Sequence, residues 1–250
     1  MKKMLLPSVL ILVFMVGCAR FGMKKFTGGN GGDCLEILQD KITENSLENV
    51  HIRKMMGDCY LNKRDFQRAR FHYSVAIAKD SKKELLQEIL NDMGVMFALS
   101  GYPQYAIGYF EKSVNSGSNK KMTPLINQVL VLLSQGEIKS AYVIAKRLLD
   151  DKSAMNAPSI QEKKILSIAY FYNGDFNEAI TLLAQANSEQ VVSMPETELV
   201  NVLSLLQIGK IADARKAWEQ LDDLSSIDAK IDKDKIQNIL DKERANAISK

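Results

Sequence analysis

The strongest constraint on this 250-residue chain is a recurrence of small residues at nearly constant spacing. Ala69, Ala106, Ala141, Ala179 and Ala214 follow one another at intervals of 37, 35, 38 and 35 residues. Five residues before the last four alanines stand Gly101, Gly136, Gly174 and Gly209. A glycine supplies the left-handed backbone conformation that closes a helix, and a small alanine lets two antiparallel helices approach closely. The pattern predicts helix–turn–helix units, each unable to bury its apolar faces alone and each stacked on the next. Aromatics at 7% and only five prolines agree with an all-α chain, and no stretch reads as strand.

The first unit is carried by Gly57, Tyr60, Ala69, Tyr73 and Ala76, with Arg64 where the turn glycine belongs. The second has Gly94, Phe97, Gly101, Ala106 and Phe110, with Ser113 at the last small position. The third keeps Leu132, Gly136 and Ala141 but places Val129 at its first glycine position. Tyr170, Gly174, Ala179 and Ala186 mark the fourth, and Leu205, Gly209, Ala214 and Trp218 the fifth. These residues resemble the tetratricopeptide repeat (TPR), a two-helix unit of about 34 residues. The resemblance covers residues 50–221 and implies a right-handed superhelical solenoid of about five units. Such a stack needs polar caps, supplied here by a short N-terminal helix and turn in residues 33–49 and a C-terminal capping helix in residues 222–250. In the latter, Ile227, Ile231, Ile236, Ile239 and Leu240 form a narrow apolar stripe on a charged helix.

Ahead of the repeats, Lys2 and Lys3 precede an apolar run from Met4 to Val16. That run is shorter than the roughly 20 apolar residues of a spanning helix and has the size of a secretory signal core. It closes on Met15-Val16-Gly17-Cys18, which resembles a bacterial lipobox, with Met15 where the family usually has Leu. The resemblance implies cleavage of residues 1–17 and acylation of Cys18, hence a protein of the bacterial cell envelope. Ala19 after the lipidated cysteine resembles an outer-membrane address. Residues 18–32 end in a glycine-rich run, which reads as a tether with an r.m.s. reach of about 20 Å. The formal net charge of +3 includes Lys2 and Lys3, so what remains is close to neutral and does not point to nucleic acid.

With Cys18 acylated, Cys34 and Cys59 remain as an even pair in an oxidising space. If the N-terminal helix and the next one form an antiparallel hairpin turning at residues 45–49, the two thiols stand level. A disulfide is the natural reading, and its loop closure would contribute about 3.5 kcal/mol on the chain-entropy view. The alternative is two buried, unbonded cysteines acting as small apolar residues.

Catalytic signals are missing from the sequence. His51 and His72 are the only histidines, and neither stands at metal-ligand spacing from a cysteine or carboxylate. No phosphate-binding glycine loop, nucleophile elbow or paired-histidine metalloprotease motif occurs. The expectation is a non-enzymatic protein with no cofactor and no catalytic or metal residues.

In TPR proteins the first helix of each unit lines a concave groove. Carried over by register, the groove positions are Lys54 and Asp58, then Asn91, Val95 and Leu99, then Leu130 and Leu133. Lys164, Ile168, Phe171 and Tyr172 follow from the fourth unit and Leu203 from the fifth. Asp58 and Thr123 replace the Asn and Lys of the carboxylate-clamp TPRs, so that clamp is not expected. An apolar middle with a polar entrance suits an amphipathic helix or an extended apolar segment of a partner protein.

A signal, a lipidated cysteine, a tether and about five TPR units resemble the envelope lipoproteins that assist pilus or secretion machinery. The segment Asn91-Asp-Met-Gly-Val-Met-Phe-Ala-Leu-Ser-Gly101 is similar to the Tad-type pilus assembly TPR lipoproteins. The type IV pilus lipoproteins are nearly as similar. The resemblance implies a membrane-anchored adaptor for pilus or secretion components or other envelope proteins. The alternatives are a scaffold regulating peptidoglycan hydrolases or proteases, and an outer-membrane protein assembly factor.

Overall fold

The computed structural model describes residues 34, 38, 49–116, 122–150, 158–187, 195–221, 236–238, 240 and 241. Every element among the described residues is helical. In chain order these are α1 (Val50–Asn62), α2 (Phe66–Lys79), α3 (Leu86–Leu99), α4 (Pro103–Asn115) and α5 (Met122–Ser134). They continue with α6 (Ile138–Asp150), α7 (Ile160–Asn173), α8 (Phe176–Asn187), α9 (Pro195–Gln207) and α10 (Ile211–Glu219). The chain divides into two compact halves between Val131 and Leu132, inside α5.

One turn, used five times, links the members of each pair. Gly101, Gly136, Gly174 and Gly209 have φ of 84°, 76°, 92° and 78°. The N–H after each donates to the carbonyl five residues back: Tyr102 to Phe97 at 2.9 Å, Glu137 to Leu132 at 2.9 Å, Asp175 to Tyr170 at 3.0 Å, Lys210 to Leu205 at 2.9 Å. This satisfies helix-end carbonyls that would otherwise be orphaned and reverses the chain in three residues. Arg64 makes the same turn at φ 59°, with Asp65 N donating to Tyr60 O at 2.9 Å. The turn is dictated by the fold and not by the residue, since an L side chain there is strained.

In the N-terminal half α1 packs on α2, α2 on α3, α3 on α4, and α1 also meets α3. Two aromatic rings sit on backbone without a side chain. A Cβ on Gly57 would lie 2.4 Å from Tyr73 Cε1, and one on Gly94 would lie 2.4 Å from Phe110 Cε1. Both rings are buried, as are Ala69, Ala76 and Ala106 around them. Ser113, buried at the small position of α4, donates its hydroxyl to Gln87 O at 2.8 Å and so costs little there. Cys34 and Leu38 are helical and one turn apart, Leu38 is wholly buried, and Cys34 is disulfide-bonded to Cys59 of α1 with Cα atoms 5.9 Å apart.

In the C-terminal half α7 packs on α6 and α8, α9 on α8 and α10, and α7 also meets α9. Ser159 opens α7 with a reciprocal cap: its hydroxyl accepts from Glu162 N, and Glu162 Oε2 accepts from Ser159 N at 2.7 Å. Ile236 and Leu240 are buried, Arg215 of α10 donates to Leu240 O and pairs with Asp241 at 3.5 Å, and Trp218 Nε1 donates to Gln237 Oε1 at 2.8 Å. Gln237, Leu240 and Asp241 thus meet α10, while Ile227, Ile231 and Ile239 of the expected stripe lie outside the described residues.

The strain at Arg64 is testable. Its side chain is exposed, so Arg64→Gly removes a left-handed penalty of about 1–2 kcal/mol and adds the chain entropy of glycine, about 0.5–1 kcal/mol. A net gain of about 0.5–1 kcal/mol in urea unfolding is expected.

Candidate protein-binding face

The contact of α1 with α3, and of α7 with α9, shows that the first helices of neighbouring pairs stand side by side in each half. In the N-terminal half their shared face carries a charged network. Lys54 Nζ lies 3.0 Å from Asp58 Oδ2 and 2.8 Å from Asp92 Oδ2. Tyr73 donates its hydroxyl to Asp58 Oδ1 at 2.8 Å. Asn91 Nδ2 donates to Asp92 Oδ1 at 3.3 Å, and Asn127 Nδ2 of α5 donates to Asn91 Oδ1 at 2.9 Å. Helix periodicity explains the pair Lys54 and Asp58, at i and i+4 on one face; Asp92 arrives from the next repeat.

The electrostatics follow from burial. Desolvation pulls the Lys54 ammonium down, but Asp92 and then Asp58 outweigh it, and its pKa is raised. Asp92 is pushed up to about 6, chiefly by desolvation, with Lys54 opposing and Asp58 adding to the rise. Its Oδ2 accepts no hydrogen bond apart from the Lys54 ion pair. The Tyr73 phenol is raised well above its usual value by burial, then by Asp58 and Asp92. The side chains of Lys54 and Asp58 keep 17% and 31% of their surface exposed, so the network has an open edge.

The remaining predicted groove residues divide by burial. In the N-terminal half Asn91, Val95 and Leu130 are buried and Leu99 is half-buried. In the C-terminal half Leu133, Lys164, Ile168 and Leu203 are buried, while Phe171 and Tyr172 are half-buried. Lys164 Nζ stands 3.9 Å from Glu198 Oε1, and the Tyr172 hydroxyl is buried without a hydrogen-bond partner, its pKa pushed up to about 12 by desolvation. Of the expected groove residues, those whose side chains are not buried are therefore Lys54, Asp58, Leu99, Phe171 and Tyr172. Cys18 lies outside the described residues.

Asp92, Tyr73 and Asn127 were not among the expected groove residues. Asp92 follows Asn91 directly, yet only the stacking of α3 on α1 brings it to Lys54. Among the described residues no group of three His, Cys, Asp or Glu could hold a metal ion, and no helix is long and apolar enough to cross a membrane.

Comparison with solved structures agrees with this geometry. The chain is similar to the type IV pilus biogenesis factor PilW at a TM-score of 0.64 and 15% identity, over 91% of this chain and 98% of that one. It is also similar to BtubC from P. vanneervenii at a TM-score of 0.52 and 15% identity, over 84% of this chain and 89% of that one. At such identities the likeness establishes the fold alone, and with the repeat register and five identical turns that fold is of the TPR type. No protein-family model matches the chain, and no curated protein matches it significantly.

Because the folded-state pKa of Asp92 is raised, the native protein binds more protons than the unfolded chain between the ordinary Asp value and about 6. Its contribution therefore favours folding below that window and falls as pH rises through it. Asp92→Asn removes this slope. Urea unfolding at pH of about 4.5 and about 7.5 should show the variant gaining on the wild type at the higher pH.

Proposed function

We propose that the protein is a non-enzymatic, lipid-anchored TPR adaptor of the bacterial envelope that holds a segment of a partner protein against the first-helix face. The observation that carries the proposal is the Lys54–Asp58–Asp92 network. A half-buried ion cluster is a poor device for stability, since desolvation offsets most of its Coulombic gain and apolar packing would serve as well. It is a good device for recognition, because it offers fixed charges of both signs at an open edge. Asp58 and Asp92 together outnumber Lys54, so the network favours a partner segment that brings a cationic or donor group.

The lipobox-like Met15-Val16-Gly17-Cys18 supports attachment through Cys18, and the disulfide fits an oxidising compartment. A function in pilus or secretion-system assembly is supported by the resemblance of the Asn91–Gly101 segment. The similarity to a type IV pilus biogenesis factor in fold and in extent agrees with it.

Two measurements test this reading. Metabolic labelling with a fatty-acid analogue should mark the wild type and leave Cys18→Ser unlabelled; equal label would remove the anchor. A photo-cross-linking residue placed at Leu99 or Phe171 in living cells should form adducts with a pilus or secretion component, while one at the exposed Gln67 of α2 should not. Adducts from Gln67 alone would move the binding site off the first-helix face.

A further inference from the structure

The most exposed large apolar side chains of the N-terminal half are not on the first-helix face. Phe71, Tyr102 and Tyr105 expose 58%, 56% and 63% of their surface, on α2, at the α4 N-cap and on α4. Tyr102 and Tyr105 belong to a cluster of rings and cations, and Phe71 lies beside it in sequence at Arg70. The Arg70 guanidinium lies 6.0 Å from the Phe97 ring, and Phe97 stacks on Tyr105 at 5.5 Å and on Tyr109 at 5.1 Å. Tyr102 meets Tyr105 edge-on at 6.2 Å, and Lys112 Nζ lies 4.9 Å from the Tyr109 ring. Phe71, next to Arg70 in sequence, packs edge-on against His72 at 5.2 Å, and His72 stacks on Tyr60 at 5.3 Å. The contacts form two clusters of rings and cations, one about Tyr60 and His72 and one about Phe97, linked by the sequence neighbours Arg70 and Phe71 of α2.

The charge on this surface has one sign in excess. Across α2 and α4 the basic side chains are Arg68, Arg70, Lys79 and Lys112, and the acidic one is Glu111. Asp65, the α2 N-cap, is engaged by Arg68 at 3.4 Å. Isolated exposed aromatics need no explanation, but a contiguous patch of them with a cationic rim marks a surface that meets something else. Rings with polar tips interleaved with Arg and Lys suit the headgroup zone of a bilayer, where aromatics sit at the interface and cations meet anionic lipid.

The chain's own connectivity favours a lipid surface over a soluble acidic partner. Cys34 is bonded to Cys59, the residue that precedes Tyr60 of the patch. If Cys18 is acylated, which is the reading of the preceding subsection, the intervening glycine-rich segment tethers Cys34, and with it the bonded Cys59 of α1, at an r.m.s. reach of about 20 Å from the bilayer. At that distance a weak surface contact operates at a high effective concentration. We propose that the α2–α4 outer face, through Phe71, Tyr102, Tyr105, Arg68, Arg70 and Lys112, docks on anionic lipid headgroups and so orients the N-terminal half on the membrane that anchors it.

The test uses the chain from residue 18 onward with Ser at position 18, which keeps every described residue and carries no acyl group. It is sedimented with vesicles of phosphatidylcholine alone or with about 30% phosphatidylglycerol. Binding should require phosphatidylglycerol and weaken as salt is raised. Arg70→Gln with Lys112→Gln should weaken it by about tenfold or more, since each surface cation is worth about 1 kcal/mol. Phe71→Ser with Tyr105→Ser should weaken it too, with helicity unchanged because both side chains are largely exposed. Absence of binding, equal binding to both vesicles, or binding untouched by either double variant would overturn the proposal. Because this chain has no lipid, the result is independent of acyl labelling at Cys18, which alone decides the anchor.

Discussion

The first two repeats depend on the contact of an aromatic ring with bare backbone between their two helices. Tyr73 over Gly57 and Phe110 over Gly94 each occupy the space where a Cβ would stand. Ala69 and Ala106 are fully buried between the same helices. The five Schellman-type turns then fix the reversal, and stacking of one pair on the next follows. The shared face of the first helices is a consequence of that stacking. So is the outer surface of the second helices, where Phe71 and Tyr105 are exposed among the described residues.

What the repeat leaves free is which side chains occupy the two faces. On the first-helix face, stacking places Asp92 of the second repeat beside Lys54 of the first at 2.8 Å and closes a network through Tyr73, Asn91 and Asn127. On the outer face, the same stacking places Arg70 of the first repeat over Phe97 of the second. Each cluster has a part inside one unit and is extended by the next, through Asp92 on Lys54 in the first case and Arg70 on Phe97 in the second.

The fold was legible because its determinants are backbone requirements written in residue size. A glycine at a left-handed turn and an alanine at a close crossing leave little choice, and all four glycines take positive φ. The third repeat shows the limit of reading position by position: Val129 stands where glycine is expected, but Ala145 stands at the aromatic register, and both are wholly buried. The candidate site was legible only in outline. Register assigned Leu133, Ile168 and Leu203 to the face, yet their exposures of 2%, 2% and 3% depend on what packs above them, which no helical wheel contains. Asp92 escaped notice because its partner Lys54 is 38 residues away. The aromatic outer face was missed for a different reason: Tyr105 and Phe71 carry no repeat signature, and only their exposure distinguishes them.

The central claim, that ring-on-glycine contacts hold the first two pairs at their spacing, is tested most directly by a double-mutant cycle at Gly94 and Phe110. Gly94→Ala forces a methyl into the ring, and Phe110→Leu removes ring atoms from that space. Each alone should destabilise by about 1–3 kcal/mol, by overpacking in one case and by a cavity in the other. Together, measured by urea unfolding, they should cost less than the sum of the two by about 1 kcal/mol or more. Strict additivity would mean that the ring and the glycine do not meet, and the account of the pair spacing would be wrong.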